Sequence, residues 1–66
     1  MNLTINGERK ELQGPSTLIQ VLSALGLATV GVAISVNGEV VPRSEQETKK
    51  IQSGDVIEVV RAVGGG

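Results

Sequence analysis

The sequence predicts an α+β domain in which a mixed sheet of four to five strands packs on one main helix. The prediction rests on alternating apolar residues towards both ends of the chain, one apolar stripe at helical spacing between them, and a length of 66 residues. A chain of this length has room for one sheet, one helix and a single core. We expect one folded domain, residues 1–63, followed by a flexible glycine tail, residues 64–66.

A first hairpin is predicted near the N-terminus. Leu3 and Ile5 alternate with polar residues, as in a strand with one buried face, and Asn6-Gly7 is a turn signal. A two-residue turn would place Leu3 opposite Lys10, whereas a four-residue loop would place it opposite Leu12. We expect the longer loop, because it pairs two apolar residues.

The main helix is predicted to begin near Thr17, after Gly14-Pro15 interrupts the strand. Thr17 and Gln20 fit the capping box, in which each side chain satisfies a free backbone N–H at the start of a helix. Gly26 followed by Leu27 predicts a left-handed end with a hydrophobic contact after it. Between these ends an apolar stripe faces the sheet, formed by Leu18, Val21, Leu22 and Leu25.

A second hairpin is predicted around Asn37-Gly38, between the alternating run at 32–36 and the short run Val40-Val41. Pro42 cannot donate to a strand ladder, so Val40-Val41 is expected at an edge of the sheet. The polar stretch 43–52 is expected to be a surface connection with room for a helical turn.

The final strand, residues 56–63, follows a turn at Ser53-Gly54-Asp55. Apolar residues fall on both of its faces, which predicts a central strand covered to some degree on each side. The expected core consists of Leu3, Ile5, Leu12, Leu18, Val21, Leu22, Leu25, Ile34, Val36, Ile57 and Val59. This order of elements matches the ubiquitin-like β-grasp, with the first and last strands parallel in the middle of the sheet.

Composition argues against several classes of function. The chain has no cysteine, histidine or aromatic residue, so independent catalysis is unexpected, and neither a disulfide nor a thiolate nucleophile can form. A net charge of −1 without a basic cluster disfavours nucleic acid. Asp55 and Glu58 are interpreted as a turn residue and a solvated strand residue.

The absence of a membrane-length apolar run or signal peptide makes the cytoplasm the expected location.

The glycine tail, Gly64, Gly65 and Gly66, is the strongest indication of function. Glycines add nothing to packing and are costly to order. In extended form they carry the terminal carboxylate about 10 Å from the domain, where a narrow channel of a partner enzyme could admit it. The alternative is a frayed chain end.

The sequence resembles the ThiS family, the ubiquitin-like sulfur carriers of thiamine biosynthesis, over nearly its whole length. The most specific stretches are VNGEVVPR at 36–43, GDVIEVV at 54–60 and AVGGG at 62–66. The resemblance implies that an E1-like activating enzyme uses ATP and magnesium to adenylate Gly66. A persulfide from a cysteine desulfurase or another donor then gives a thiocarboxylate, whose sulfur passes to thiazole synthase. Gly64 and Gly65 would thread the active sites of these partners, while the chain itself holds no catalytic residue, metal or cofactor.

Docking of partners is expected beside the tail. Val60, Ala62 and Val63, with Arg61 between them, offer apolar surface next to a polar rim. The alternative is that these residues only complete the central strand.

Three other functions compete with a thiamine carrier. The chain could carry sulfur for molybdopterin or for another sulfuration pathway, since such carriers share the activated diglycine end. It could also be a ubiquitin-like modifier that forms an isopeptide bond with lysine, or an interaction module whose glycines are accidental.

If the glycine tail must enter a narrow channel of the activating enzyme, Gly65→Val should prevent adenylation. A side chain at this position would collide with the walls of a channel built for glycine, so adenylation should be abolished while the fold stays intact. Circular dichroism and an assay of pyrophosphate release would test the two parts separately, and normal adenylation of the variant would refute the channel argument.

Overall fold

The computed structural model describes residues 1–13 and 16–61. Within these ranges the elements are β1 (Asn2–Ile5), β2 (Glu8–Glu11), β3 (Ser16–Thr17), α1 (Leu18–Ala24), β4 (Val32–Val36), β5 (Glu39–Val40), α2 (Arg43–Gln46), β6 (Lys50–Ile51) and β7 (Val56–Arg61).

In the described part of the chain the main sheet has five strands, in the order β2-β1-β7-β4-β5. β1 and β7 are parallel, and each of the other neighbouring pairs is antiparallel. The predicted mixed sheet is confirmed, with the first and last strands in its middle. The helix α1 lies between β1 and β4 in the chain and packs on one face of the sheet through a stripe of buried residues.

The first hairpin has the shorter of the two turns considered, so the expected four-residue loop is wrong. Leu3 lies opposite Lys10, and the two-residue turn has positive φ angles at Asn6, 51°, and Gly7, 83°. Such Asn-Gly turns match the twist of the two flanking strands. Every residue of β2 is exposed, so β2 has no buried apolar face that would require the other register. Leu12 lies beyond the strand and is half-buried.

The helix α1 begins and ends as predicted. Thr17 Oγ1 accepts from the N–H of Gln20 at 3.3 Å, and Gln20 Oε1 accepts from the N–H of Thr17 at 3.0 Å, which completes the capping box. At the other end Gly26 has φ 72°, and the Leu27 N–H donates to the Leu22 carbonyl at 2.9 Å, as in a Schellman cap.

The second hairpin also turns through an Asn-Gly pair, with φ 53° at Asn37 and 85° at Gly38. Its second strand, β5, lies at the edge of the sheet as predicted. β5 ends at Val40, one residue earlier than expected. Val41 turns inward and is buried, and its N–H donates to the Ile34 carbonyl at 2.9 Å.

The helical turn allowed for in residues 43–52 is present as α2, but the expectation that this connection lies only on the surface is wrong. It contains the short helix α2 and the strand β6, which pairs with β3 immediately before α1. Ile51 is buried, and Gln46 is also buried with its Nε2 donating to the Val41 carbonyl at 3.3 Å. The connection therefore closes one end of the core.

The core contains most of the residues predicted for it. Leu12, Leu25 and Val59 are only half-buried at its margin, and Val41 and Ile51 were not predicted. The buried apolar residues are Leu3, Ile5, Leu18, Val21, Leu22, Ile34, Val36, Val41, Ile51 and Ile57.

The central strand β7 is covered on one face only, so the expectation of cover on both faces is wrong. Ile57 is fully buried against the side of α1, whereas Val56 is 44% and Val60 61% exposed on the other side of the sheet. In the described part of the chain both helices contribute to the covered side through Leu18, Val21, Leu22 and Gln46, and the opposite face of β7 stays open.

Two valine-to-alanine variants should separate buried from exposed strand positions. Val36→Ala, at a position 5% exposed, removes packed methyl groups and should lower the free energy of unfolding by about 2 to 3 kcal/mol. Val40→Ala, at a position 75% exposed, should change it by less than about 0.5 kcal/mol. Urea unfolding followed by far-UV circular dichroism is suitable, because the chain has no aromatic residue. Equal losses in the two variants would contradict the assigned sheet faces.

Candidate functional site

The candidate site is the end of β7, from which the chain continues towards the glycine tail. Arg61 is the last described residue and lies opposite Val32 of β4. The predicted site residues Ala62, Val63, Gly64, Gly65 and Gly66 lie outside the described residues. The structure therefore places the strand that leads to the tail, in the middle of the sheet, and the two predicted docking residues Val60 and Arg61.

The two strands that neighbour β7, β1 and β4, pair with it over different lengths. The pairing with β1 ends at Ile5 opposite Ile57, whereas the pairing with β4 continues to Arg61. Among the described strands, the second half of β7 thus has a neighbour on the β4 side alone. Beyond Ile57 its other edge faces the turn of the first hairpin.

Asn6 in that turn contacts β7 through both its backbone and its side chain. Its N–H donates to the Ile57 carbonyl at 3.0 Å, and its Oδ1 accepts from the Val59 N–H at 2.8 Å. The contact extends the support of β7 beyond the last paired residue of β1.

Asn37, in the turn of the second hairpin, holds the start of β7 in a similar way. Its N–H donates to the Val56 carbonyl at 2.7 Å, and its Oδ1 accepts from the Val56 N–H at 2.9 Å. Its Nδ2 also donates to Asp55 Oδ1 at 3.0 Å. Asp55 is thus a turn residue, as interpreted from the sequence, and its other oxygen accepts from the Gln52 N–H at 2.8 Å.

The open face of the sheet carries an apolar patch beside the end of β7, formed by Ala33, Val40 and Val60. Val60 lies opposite Ala33 in the strand register, and Val40 lies opposite Ser35 on the next strand. A shallow depression joins these residues, with Glu58 at its margin. All three patch residues are exposed.

The sequence prediction included Val60 but missed its neighbours on the patch and the role of the asparagines. Ala33 and Ser35 alternate with the buried Ile34 and Val36, a pattern that could have placed them on the open face. Asn6 and Asn37 were recognised only as turn residues. Nothing local in the sequence indicates that their side chains reach β7.

The described residues were compared with the needs of a metal site and of a membrane-spanning helix. Among residues 1–13 and 16–61 no three acidic side chains come close enough together to ligate a metal ion. No helix in these ranges is long and apolar enough to cross a membrane.

The order β2-β1-β7-β4-β5, with β1 and β7 parallel in the middle and one main helix on one face, is that of the ubiquitin-like β-grasp. Comparison with known families narrows this fold class. The model of the ThiS family matches residues 3–66. The chain belongs to the ThiS family.

Individual relatives agree with this assignment. A protein named sulfur carrier protein ThiS, from Thermus thermophilus, is 39% identical over 62 residues, which cover 94% of this chain and 95% of that protein. The crystal structure of a thiamine biosynthesis protein, ThiS, from Geobacter metallireducens covers the whole of both chains with a TM-score of 0.86 and 35% identity.

Two other relatives are longer proteins named thiazole synthase. The one from Paramagnetospirillum magneticum is 36% identical and the one from Magnetococcus marinus 38% identical over all 66 residues of this chain. The chain spans one fifth of the length of each of them.

Proposed function

We propose that this chain is a sulfur carrier of thiamine biosynthesis, acting as a protein co-substrate and not as a catalyst. The observation that carries the proposal is the extent of the family match, which runs through the terminal glycines to Gly66. The full-length likeness to a relative named as a sulfur carrier supports it. The lack of cysteine fits a carrier whose sulfur is supplied by other proteins.

In the proposed reaction the carboxylate of Gly66 is the reacting group. An E1-like enzyme with ATP and magnesium transfers AMP to this carboxylate and releases pyrophosphate, which turns a poor electrophile into a good one. A persulfide sulfur attacks the acyl carbon and AMP leaves. A thiol then attacks the donor cysteine's sulfur in the resulting acyl disulfide. A new disulfide forms between the thiol and that cysteine, and the Gly66 thiocarboxylate leaves.

Thiazole synthase is the proposed acceptor of this sulfur. Two relatives with that name include a region similar to the whole of this chain, which is consistent with two modules that act on one another. The persulfide donor, a cysteine desulfurase or another protein, is proposed from the family chemistry.

The proposed docking surface comprises the apolar patch and the last residues before the tail, Arg61, Ala62 and Val63. Protein interfaces place an apolar centre inside a polar rim. The exposed Val60 has Ala33 beside it on β4 and the charged Glu58 two residues earlier on the same face, whereas Arg61 follows on the opposite face of β7. A partner bound there would bury apolar surface that is exposed to solvent in the free domain. It would also lie beside the end of β7, where the tail begins.

The central experiment is intact mass spectrometry after incubation with the activating enzyme, ATP, magnesium and sulfide. Sulfide displaces AMP directly, so replacement of one carboxylate oxygen by sulfur should add about 16 Da. A chain lacking Gly66 is the control and should keep its mass. An unchanged mass of the intact chain, with an enzyme that activates a known carrier, would reject the proposal.

The docking proposal predicts different effects for two valines on the same face of β7. Val60→Glu introduces a charge into the apolar patch and should raise the KM for adenylation about ten-fold or more. Val56→Glu is the matched control, about 13 Å away along the strand and outside the depression, and should leave the KM unchanged. Both residues are exposed, so circular dichroism should show that both variants are folded. Equal effects would contradict docking at the patch.

A further inference from the structure

The side chain of Asn6 replaces a backbone acceptor of the sheet. In the parallel pair of β1 and β7, the Thr4 N–H donates to the Asp55 carbonyl at 3.1 Å and the Asn6 N–H to the Ile57 carbonyl at 3.0 Å. A regular parallel ladder would continue with the Val59 N–H donating to the Asn6 carbonyl. The backbone of Asn6 has already turned, with φ 51°, and its Oδ1 accepts from Val59 instead, at 2.8 Å.

This bond lies at the point where support for β7 becomes one-sided. Strand pairing with β1 stops at Ile57, and beyond it β4 alone pairs with Val60 and Arg61. A strand held along one edge can bend out of the sheet more easily than one held along both. The Asn6 bond to Val59 fixes the second edge two residues before the last described residue.

We propose that Asn6 is a positioning residue for the C-terminal segment of this carrier. By holding Val59, its side chain sets the direction in which the described end of β7 points and so preorganises this strand for binding by an adenylating enzyme. The inference rests on the proposed function for its effect on adenylation, but its effect on β7 is independent of that function.

The chain offers a matched control in Asn37. Both asparagines occupy the first position of an Asn-Gly hairpin turn with nearly equal φ, and both accept a hydrogen bond from a backbone N–H of β7. Asn37 acts on Val56, at the start of the strand, whereas Asn6 acts on Val59. Loss of either side chain should weaken the domain, and only the loss of Asn6 should affect the end of β7.

The experiment compares Asn6→Gly, Asn6→Asp and Asn37→Gly with the unaltered chain. Glycine retains the positive φ of the turn and removes the acceptor, whereas aspartate retains an acceptor oxygen. Amide hydrogen exchange of Val59 and the chemical shifts of Val60 and Arg61 report on the end of β7. Steady-state adenylation, measured by pyrophosphate release, separates KM from kcat.

The expected results follow from the loss of one hydrogen bond. Asn6→Gly should accelerate exchange at Val59 and raise the KM about five-fold, with kcat unchanged because a saturating enzyme holds the segment in place. Asn6→Asp should restore the exchange rate of Val59 and the KM to those of the unaltered chain. Asn37→Gly should accelerate exchange at Val56 and leave KM unchanged.

Two results would overturn the inference: an Asn6→Gly variant with unaltered exchange at Val59 and unaltered KM, or an Asn37→Gly variant with the same rise in KM. If the unaltered chain is not adenylated, the proposed function fails, and the exchange and chemical-shift measurements alone decide the role of Asn6. Unchanged signals of Val59, Val60 and Arg61 in Asn6→Gly would then reject it.

Discussion

The parallel pairing of β1 with β7 is the constraint on which the rest of the structure depends. It joins the first and last described strands and places Ile57, which is fully buried, between Ile5 on one side and Val36 on the other. Parallel strands cannot be connected by a tight hairpin. The chain between them must therefore cross the sheet, and α1 makes this crossing while covering the row of apolar side chains.

Two Asn-Gly turns secure the central strand from opposite sides. Each turn closes a hairpin, and each asparagine also hydrogen-bonds to the backbone of β7. The same residue type thus serves two purposes, because a short amide side chain tolerates the left-handed conformation of the turn and still reaches a neighbouring strand. The strand that leads to the tail is fixed by polar contacts as well as by its buried side chains.

The small size of the domain explains its open sheet face. One helix of seven residues covers one side of the sheet, with help from α2 and the connection around Ile51. In the described part of the chain the other side keeps Val40 and Val60 in water. Exposed apolar residues on neighbouring strands are suited to binding a partner, as the proposed docking surface requires.

The sequence by itself determined the elements whose signals are local. The capping box at Thr17, the glycine end at Gly26, the turn at Asn37-Gly38 and the edge position before Pro42 each depend on residues within a few positions of one another. The fold class followed from their order. The family resemblance indicated Gly66 as the reacting residue, which remains a prediction because the tail lies outside the described residues.

Tertiary structure alone decided the features that join distant parts of the chain. These are the pairing of β3 with β6, the burial of Val41 and Ile51, the open face of β7 and the bond from Val59 to Asn6, 53 residues apart. The register of the first hairpin was misjudged because Leu12 reaches the margin of the core without pairing with Leu3. The physical reason is the same in each case. Burial and hydrogen bonding depend on contacts between segments that are distant in the sequence, and local sequence patterns do not specify these contacts.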